Sequence, residues 1–138
     1  MLSGVSCNTS GSCAAVGKYV AGSATLAAFA EGSSGSSWAI QTTPVPGGTT
    51  FSQLLGVSCA STGSCEAVGD YRAGSGSVVT LAEVSASGKW TRQTTPNRSG
   101  ATTNELNGIA CPSTTGCEAV GYNNGSEVVE ATLALRFT

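Results

Sequence analysis

The chain has no histidine, and only 10% of its 138 residues are charged. The first absence removes the commonest general base and the commonest metal ligand, so a hydrolase built on this chain would have to work with carboxylates. The second leaves six basic residues, scattered rather than clustered, and a formal net charge of −2. That excludes a nucleic-acid surface, which must neutralise several phosphates at once, and a polybasic membrane patch. Bulky side chains are scarce too, with two Trp, three Tyr and three Phe, so the hydrophobic 40% is mostly Ala, Val and Leu. Small residues of this kind suit closely packed sheets. No apolar run approaches the roughly 20 residues of a membrane helix. The best candidate, Ala24 to Ala30, is far too short.

What the chain does have is a repeat. Leu2-Ser3-Gly4-Val5-Ser6-Cys7, Leu54-Leu55-Gly56-Val57-Ser58-Cys59 and Leu106-Asn107-Gly108-Ile109-Ala110-Cys111 each start 52 residues after the last. In every copy a second cysteine follows six positions later and opens a Cys-x-Ala-Val-Gly run. The copies span about 2–53, 54–105 and 106–138 within one domain, and a repeat of this period marks a modular architecture. The amino terminus runs from Met1-Leu2 straight into the first copy, without a basic and then apolar leader. A removed signal peptide or a longer parent chain is the expectation.

In the middle copy, four segments at about 53–59, 65–71, 78–84 and 90–95 are rich in Val, Leu, Thr or aromatic residues and are bounded by Gly, Ser, Asn or Pro. They read as strands joined by turns. The Ala-rich run Thr25-Leu26-Ala27-Ala28-Phe29-Ala30 aligns by its letters with Thr80-Leu81-Ala82-Glu83-Val84 and Thr132-Leu133-Ala134-Leu135-Arg136, so all three read as strands. That alignment implies three extra residues in copy two before Thr80, and a Gly-x-x-Trp turn shortened there to Gly88-Lys89-Trp90. The third copy lacks the Trp-bearing fourth strand, so four, four and three make about eleven strands. An up-and-down sheet puts alternate connections on opposite edges, one edge collecting the cysteine loops and the other the variable loops.

The six cysteines pair most simply within each copy, as Cys7–Cys13, Cys59–Cys65 and Cys111–Cys117. Each pair encloses five small or polar residues, a loop that can turn back and bring two Cα atoms within the roughly 4.4–6.8 Å of a disulfide. Zinc would want closer cysteines or histidines, and a redox thiol would want Cys-x-x-Cys or an electropositive neighbour. No metal site and no cofactor are expected. Six cysteines in pairs point to an oxidising compartment and a secreted or extracellular protein.

The series Leu-x-Gly-Val-Ser-Cys, Cys-x-Ala-Val-Gly-x-Tyr, Thr-Leu-Ala-Glu, Gly-x-x-Trp and Gln-x-Thr-Pro resembles a tandem repeat of secreted bacterial proteins that look like β-propellers, and it covers essentially the whole chain. The resemblance implies an all-β fold of about 2.7 four-stranded antiparallel blades and implies no activity. A closed propeller has four or more blades. The chain is therefore expected to be a piece of a longer ring, or a protomer that self-associates to complete one. The rival fold is a β-trefoil, which also uses three four-stranded repeats. The Gly-x-x-Trp turn is also similar to the Asp-box of sialidase-like propellers, although Ser34 stands where the box wants Asp.

The carboxylates are Glu31, Glu66, Asp70, Glu83, Glu105, Glu118, Glu127 and Glu130. None is read as catalytic; Glu66 and Glu118 occupy one repeat position, and repetition alone explains the match. Trp38 and Trp90 are expected to pack between neighbouring blades, their indole N–H groups finding backbone acceptors. The variable-loop edge would carry Tyr71, Arg72, Asn97, Arg98, Asn104, Tyr122, Asn123 and Asn124, side chains suited to a glycan or protein ligand. The expected function is an extracellular scaffold that binds protein or carbohydrate without catalysis. The alternatives are a fragment of a glycoside-processing propeller enzyme and a trefoil lectin.

Overall fold

The computed structural model describes residues 1–61, 64–113, 116–125 and 130–137, and these form strands and turns with no helix. Glu127 lies outside the described residues. Four strands make the first unit: β1 Leu2–Cys7, β2 Cys13–Gly22, β3 Thr25–Ser34 and β4 Ser37–Gln41. The second holds β5 Ser52–Ser61, β6 Ser64–Arg72, β7 Val78–Ala86 and β8 Lys89–Gln93. The third holds β9 Ala101–Ser113, β10 Gly116–Gly125 and β11 Glu130–Phe137. Each unit is an antiparallel meander in chain order. Among the described residues only single parallel pairs join the units edgewise, Leu26 with Phe51 and Val78 with Thr103. The sheets stay open: no closed barrel, which a trefoil needs, and no closed ring forms among the described residues.

Strand pairing fixes which residues are equivalent. Cys13 opposes Ser33, Cys65 opposes Ser85 and Cys117 opposes Phe137, every member 52 positions after its counterpart. This overturns the letter alignment of copy one. Thr25 corresponds to Ser77 rather than to Thr80, and no three-residue insertion separates the copies. The β3–β4 and β7–β8 turns also have the same length, Ser34 facing Ser37 and Ala86 facing Lys89. Only the glycine moves. Gly35 has φ 65° in the first turn, whereas Ser87 and Gly88 have φ 52° and 79° in the second. Positive φ in a two-residue hairpin loop matches the twist of the strands it joins.

The cysteines pair within each copy as expected, directly across β1–β2 and β5–β6 and at an irregular step of β9–β10. Their Cα atoms lie 4.0, 4.0 and 4.1 Å apart, closer than the spacing argument allowed. Residues opposite one another without mutual hydrogen bonds are the closest pairs of an antiparallel ladder. The amide of Cys59 fits that place, donating instead to Ser6 Oγ of the first unit at 3.0 Å. The first cysteine loop is held by Asn8, whose Oδ1 accepts from the amides of Ser10 and Ser12. This is how a short polar side chain stabilises a tight turn.

The core lies between units. The back of the first unit, with Ala14, Val16, Ala28 and Ala30, packs on the front of the second, with Leu54, Val57, Ala67, Leu81 and Trp90. The second junction repeats this pattern: Val68 and Ala82 meet Leu106, Ala119, Ile109, Leu135 and Phe137. Alternation along each strand sends one set of side chains forward and the other backward, so every sheet is apolar on both faces. The inner strands come closest at glycine. A Cβ on Gly4 would lie 3.1 Å from Leu55 O, and one on Gly56 would lie 3.0 Å from Asn107 O. Two hydroxyls fasten the same strands, Ser6 Oγ to the Cys59 amide and Ser58 Oγ to the Cys111 amide, each at 3.0 Å.

Candidate functional site

The β2–β3, β4–β5, β6–β7 and β8–β9 connections gather at one end of the sheets, opposite the cysteine loops. A row of polar side chains crosses the units there. Lys18 Nζ donates to Gln53 Oε1 at 2.6 Å, and Gln53 Nε2 donates to Asp70 Oδ1 at 2.8 Å. In the third unit Tyr122 Oη donates to Glu105 Oε2 at 3.2 Å, and Asn107 Nδ2 donates to Glu105 Oε1 at 2.5 Å. Lys18, Asp70 and Tyr122 occupy one repeat position, and Gln53 and Glu105 another. Burial pushes the Asp70 carboxyl up to about 6; the Gln53 bond opposes this, the Glu105 charge adds to it and the Lys18 charge opposes it. Lys18, Gln53, Asp70 and Glu105 were not among the expected site residues.

The expected residues divide into several groups. Arg98, Asn104 and Asn123 come together: the Arg98 amide donates to Asn104 Oδ1 at 3.0 Å, and its Nη1 donates to Asn123 Oδ1 at 3.1 Å. Both asparagines are buried, so their amides hold the β8–β9 connection rather than face solvent. Asn97 Oδ1 accepts from the Thr80 amide at 2.9 Å, within a knot that includes Thr95. Tyr71 is half-buried with the Arg92 guanidinium 5.9 Å from its ring centroid. Arg72 is exposed on β6, and Asn124 is half-buried on β10. Tyr122 joins the polar row, separated from the Tyr71 equivalence that Asn123 takes.

Three carboxyls are held away from solvent. Glu83 lies fully buried on the front of the second unit, and neither of its carboxylate oxygens has a hydrogen-bond partner. Burial pushes it up to about 8, against the pull of the Arg92 charge. Burial also raises Glu66. Glu66 approaches Cys111 and Cys117, the only metal-like grouping among the described residues, but both sulfurs are spent in a disulfide and no thiolate remains to bind an ion.

The two tryptophans part company. Trp90 is 4% exposed and its Nε1 donates to Gln41 Oε1 of the first unit at 2.8 Å, a side-chain acceptor rather than the backbone one expected. Trp38 is 49% exposed, so the packing expected for it is not made within this chain. It borders a groove of about 620 Å³ that also takes in Leu2, Val5, Ala15 and Glu31. Gln93, the counterpart of Gln41, has a buried Oε1 without a partner. Phe137, the counterpart of Ser85, packs on the second cluster.

No family model matches the chain, and no curated protein is similar to it. No helix among the described residues is long and apolar enough to cross a membrane.

Proposed function

We propose that the chain is an extracellular, non-enzymatic β-repeat scaffold of propeller type that binds a protein or a carbohydrate at its variable-loop end. The observation that carries this reading is the half-exposed polar row of Lys18, Gln53, Glu105 and Tyr122, anchored on the buried Asp70 and flanked by the exposed side chains of Arg72, Asn97 and Arg98. Buried partners fix its geometry, so a ligand would meet side chains already ordered, which lowers the entropic cost of binding. The absence of catalysis is supported by where the shifted carboxyls lie. Asp70, Glu66 and Glu83 are sealed by packing, and a general acid or base must come within hydrogen-bond reach of its substrate. Three disulfides support an oxidising compartment, where such bonds form and persist.

Affinity electrophoresis through gels cast with soluble polysaccharides tests the carbohydrate arm, and pull-down of a secreted-protein fraction tests the protein arm. Binding in one arm, lost in Arg98→Ala and Arg72→Ala but kept in Trp38→Ala, is the expected outcome. Cleavage of a polysaccharide by the intact chain, or binding that neither arginine variant weakens, would overturn the proposal.

A further inference from the structure

The front of the first unit carries, with Phe29 in place of Leu81, the apolar residues that are buried in the front of the second. Leu2, Val5 and Trp38 are 50%, 64% and 49% exposed, while their counterparts Leu54, Val57 and Trp90 are 0%, 9% and 4% exposed. Tyr19 and Ile40 extend the same face outward and are exposed as well. A contiguous apolar face of this kind marks an interaction surface rather than ordinary scatter. At the opposite end of the array the back of the third unit is also open among the described residues. Val120 is 56% exposed, while its counterparts Val16 and Val68 are fully buried; Ala134 is exposed, and Ala30 and Ala82 are not.

The two internal junctions show what covers such a front: the back of a neighbouring unit, with Val and Ala at its centre and a glycine on its inner strand. The third unit has all of these. A Cβ on Gly108 would meet only the Val120 side chain, at 3.6 Å, so the close approach that Gly4 and Gly56 make to the next backbone is left unused at Gly108. The back of the third unit differs at Arg136, in the place of Val84, which would be covered together with Glu118 as an ion pair. The second junction already buries a glutamate, Glu66, at the same repeat position, and Arg136 pairs with Glu118 on the open face.

We propose that the exposed front of the first unit is a docking surface for the open back of the third unit of a second copy of this chain, joined head to tail. The contact is heterologous, so it either closes into a ring or extends. Two copies bring six units, within the four to eight blades of closed propellers. The inference rests on the repeat-scaffold reading for its geometry and is independent of any ligand.

Light scattering on non-reduced protein across a concentration series, with Val5→Arg, Val120→Arg and Gly108→Ala, tests it. Wild type is expected to associate and each arginine variant to stay monomeric, while the two arginine variants mixed together form a dimer through the one intact pair of faces. Gly108→Ala is expected to weaken association by roughly tenfold, equivalent to about 1.4 kcal/mol. Circular dichroism of each variant, all altered at positions open in the monomer, should match wild type. Wild type that stays monomeric, or that associates just as well with both arginines in place, overturns the docking inference. A monomer that still binds polysaccharide would sink this inference alone, and an assembly that binds nothing would sink the functional proposal alone.

Discussion

The front of the first unit and the front of the second are nearly one surface written twice, and they meet different fates. Leu54, Val57 and Trp90 are sealed under the first unit, while Leu2, Val5 and Trp38 face solvent. The difference lies in the neighbour, since the strands, register and disulfide agree between the two units. Burial in a stacked array therefore belongs to the junction rather than to the repeat, as expected where stability sums over units and their interfaces. The third unit shows the same from the other side. Val120 is exposed where Val16 and Val68 are fully buried, with no sheet behind it among the described residues.

The largest break in this comparison comes from the tryptophans. Trp90→Ala removes a buried ring and leaves Gln41 Oε1 without its donor, so it should destabilise by about 3–5 kcal/mol in denaturant melts. Trp38→Ala in the monomer should stay within about 0.5 kcal/mol. Equal losses at both positions would mean that Trp38 is already covered in solution.

A smaller effect is expected at Glu83. Its folded-state pKa is raised from 4.5 to about 8, so its contribution is fully present below the unfolded value and is lost as pH rises through about 8. Asp70, raised from 3.8 to about 6, acts in the same direction over the lower part of that window. Tm should therefore fall from pH 4 to pH 8. Glu83→Gln should flatten the upper half of the curve and stabilise the protein at pH 8, by an amount on the order of a few kcal/mol. A Tm that rises with pH, or a variant no more stable at pH 8, would contradict this assignment. Leu135 occupies the same place in the third unit, which shows that the position accepts an apolar side chain.

The smallest test compares hydroxyls. Ser58→Ala removes the acceptor of the Cys111 amide across the second junction and should cost about 1 kcal/mol, as should Ser6→Ala across the first. Ala110, their counterpart at the open end, should accept Ser with no change in monomer stability. A stabilised monomer in Ala110→Ser would mean that the third unit is already covered.

Much of this architecture was legible in the letters. The four strands read in the middle copy at about 53–59, 65–71, 78–84 and 90–95 correspond to β5 to β8, and the described residues hold eleven strands, the number read from the sequence. The slip in copy one has a physical cause: Thr-Leu-Ala is an acceptable strand string in two registers, and a slide along small residues changes little locally. The Trp38–Trp90 and Gln41–Gln93 spacings, both 52, held the correct register. The polar row was missed because Lys18, Asp70 and Tyr122 share a position but not a chemistry, so letter matching discards them. Period alone would have aligned them. Asn104 and Asn123 looked like exposed loop amides, yet pairing with Arg98 draws them inward.

Every disulfide closes a hairpin, and none ties one unit to another. Under a pulling force along the chain, each bridge therefore withholds only its own short loop, roughly 20 Å of extension at about 3.3–3.6 Å per residue. Reducing agents would lengthen the stretched molecule very little. What resists extension is the sheet-on-sheet contact between units, so the array should yield in steps of one unit, each hairpin staying knotted at its tip.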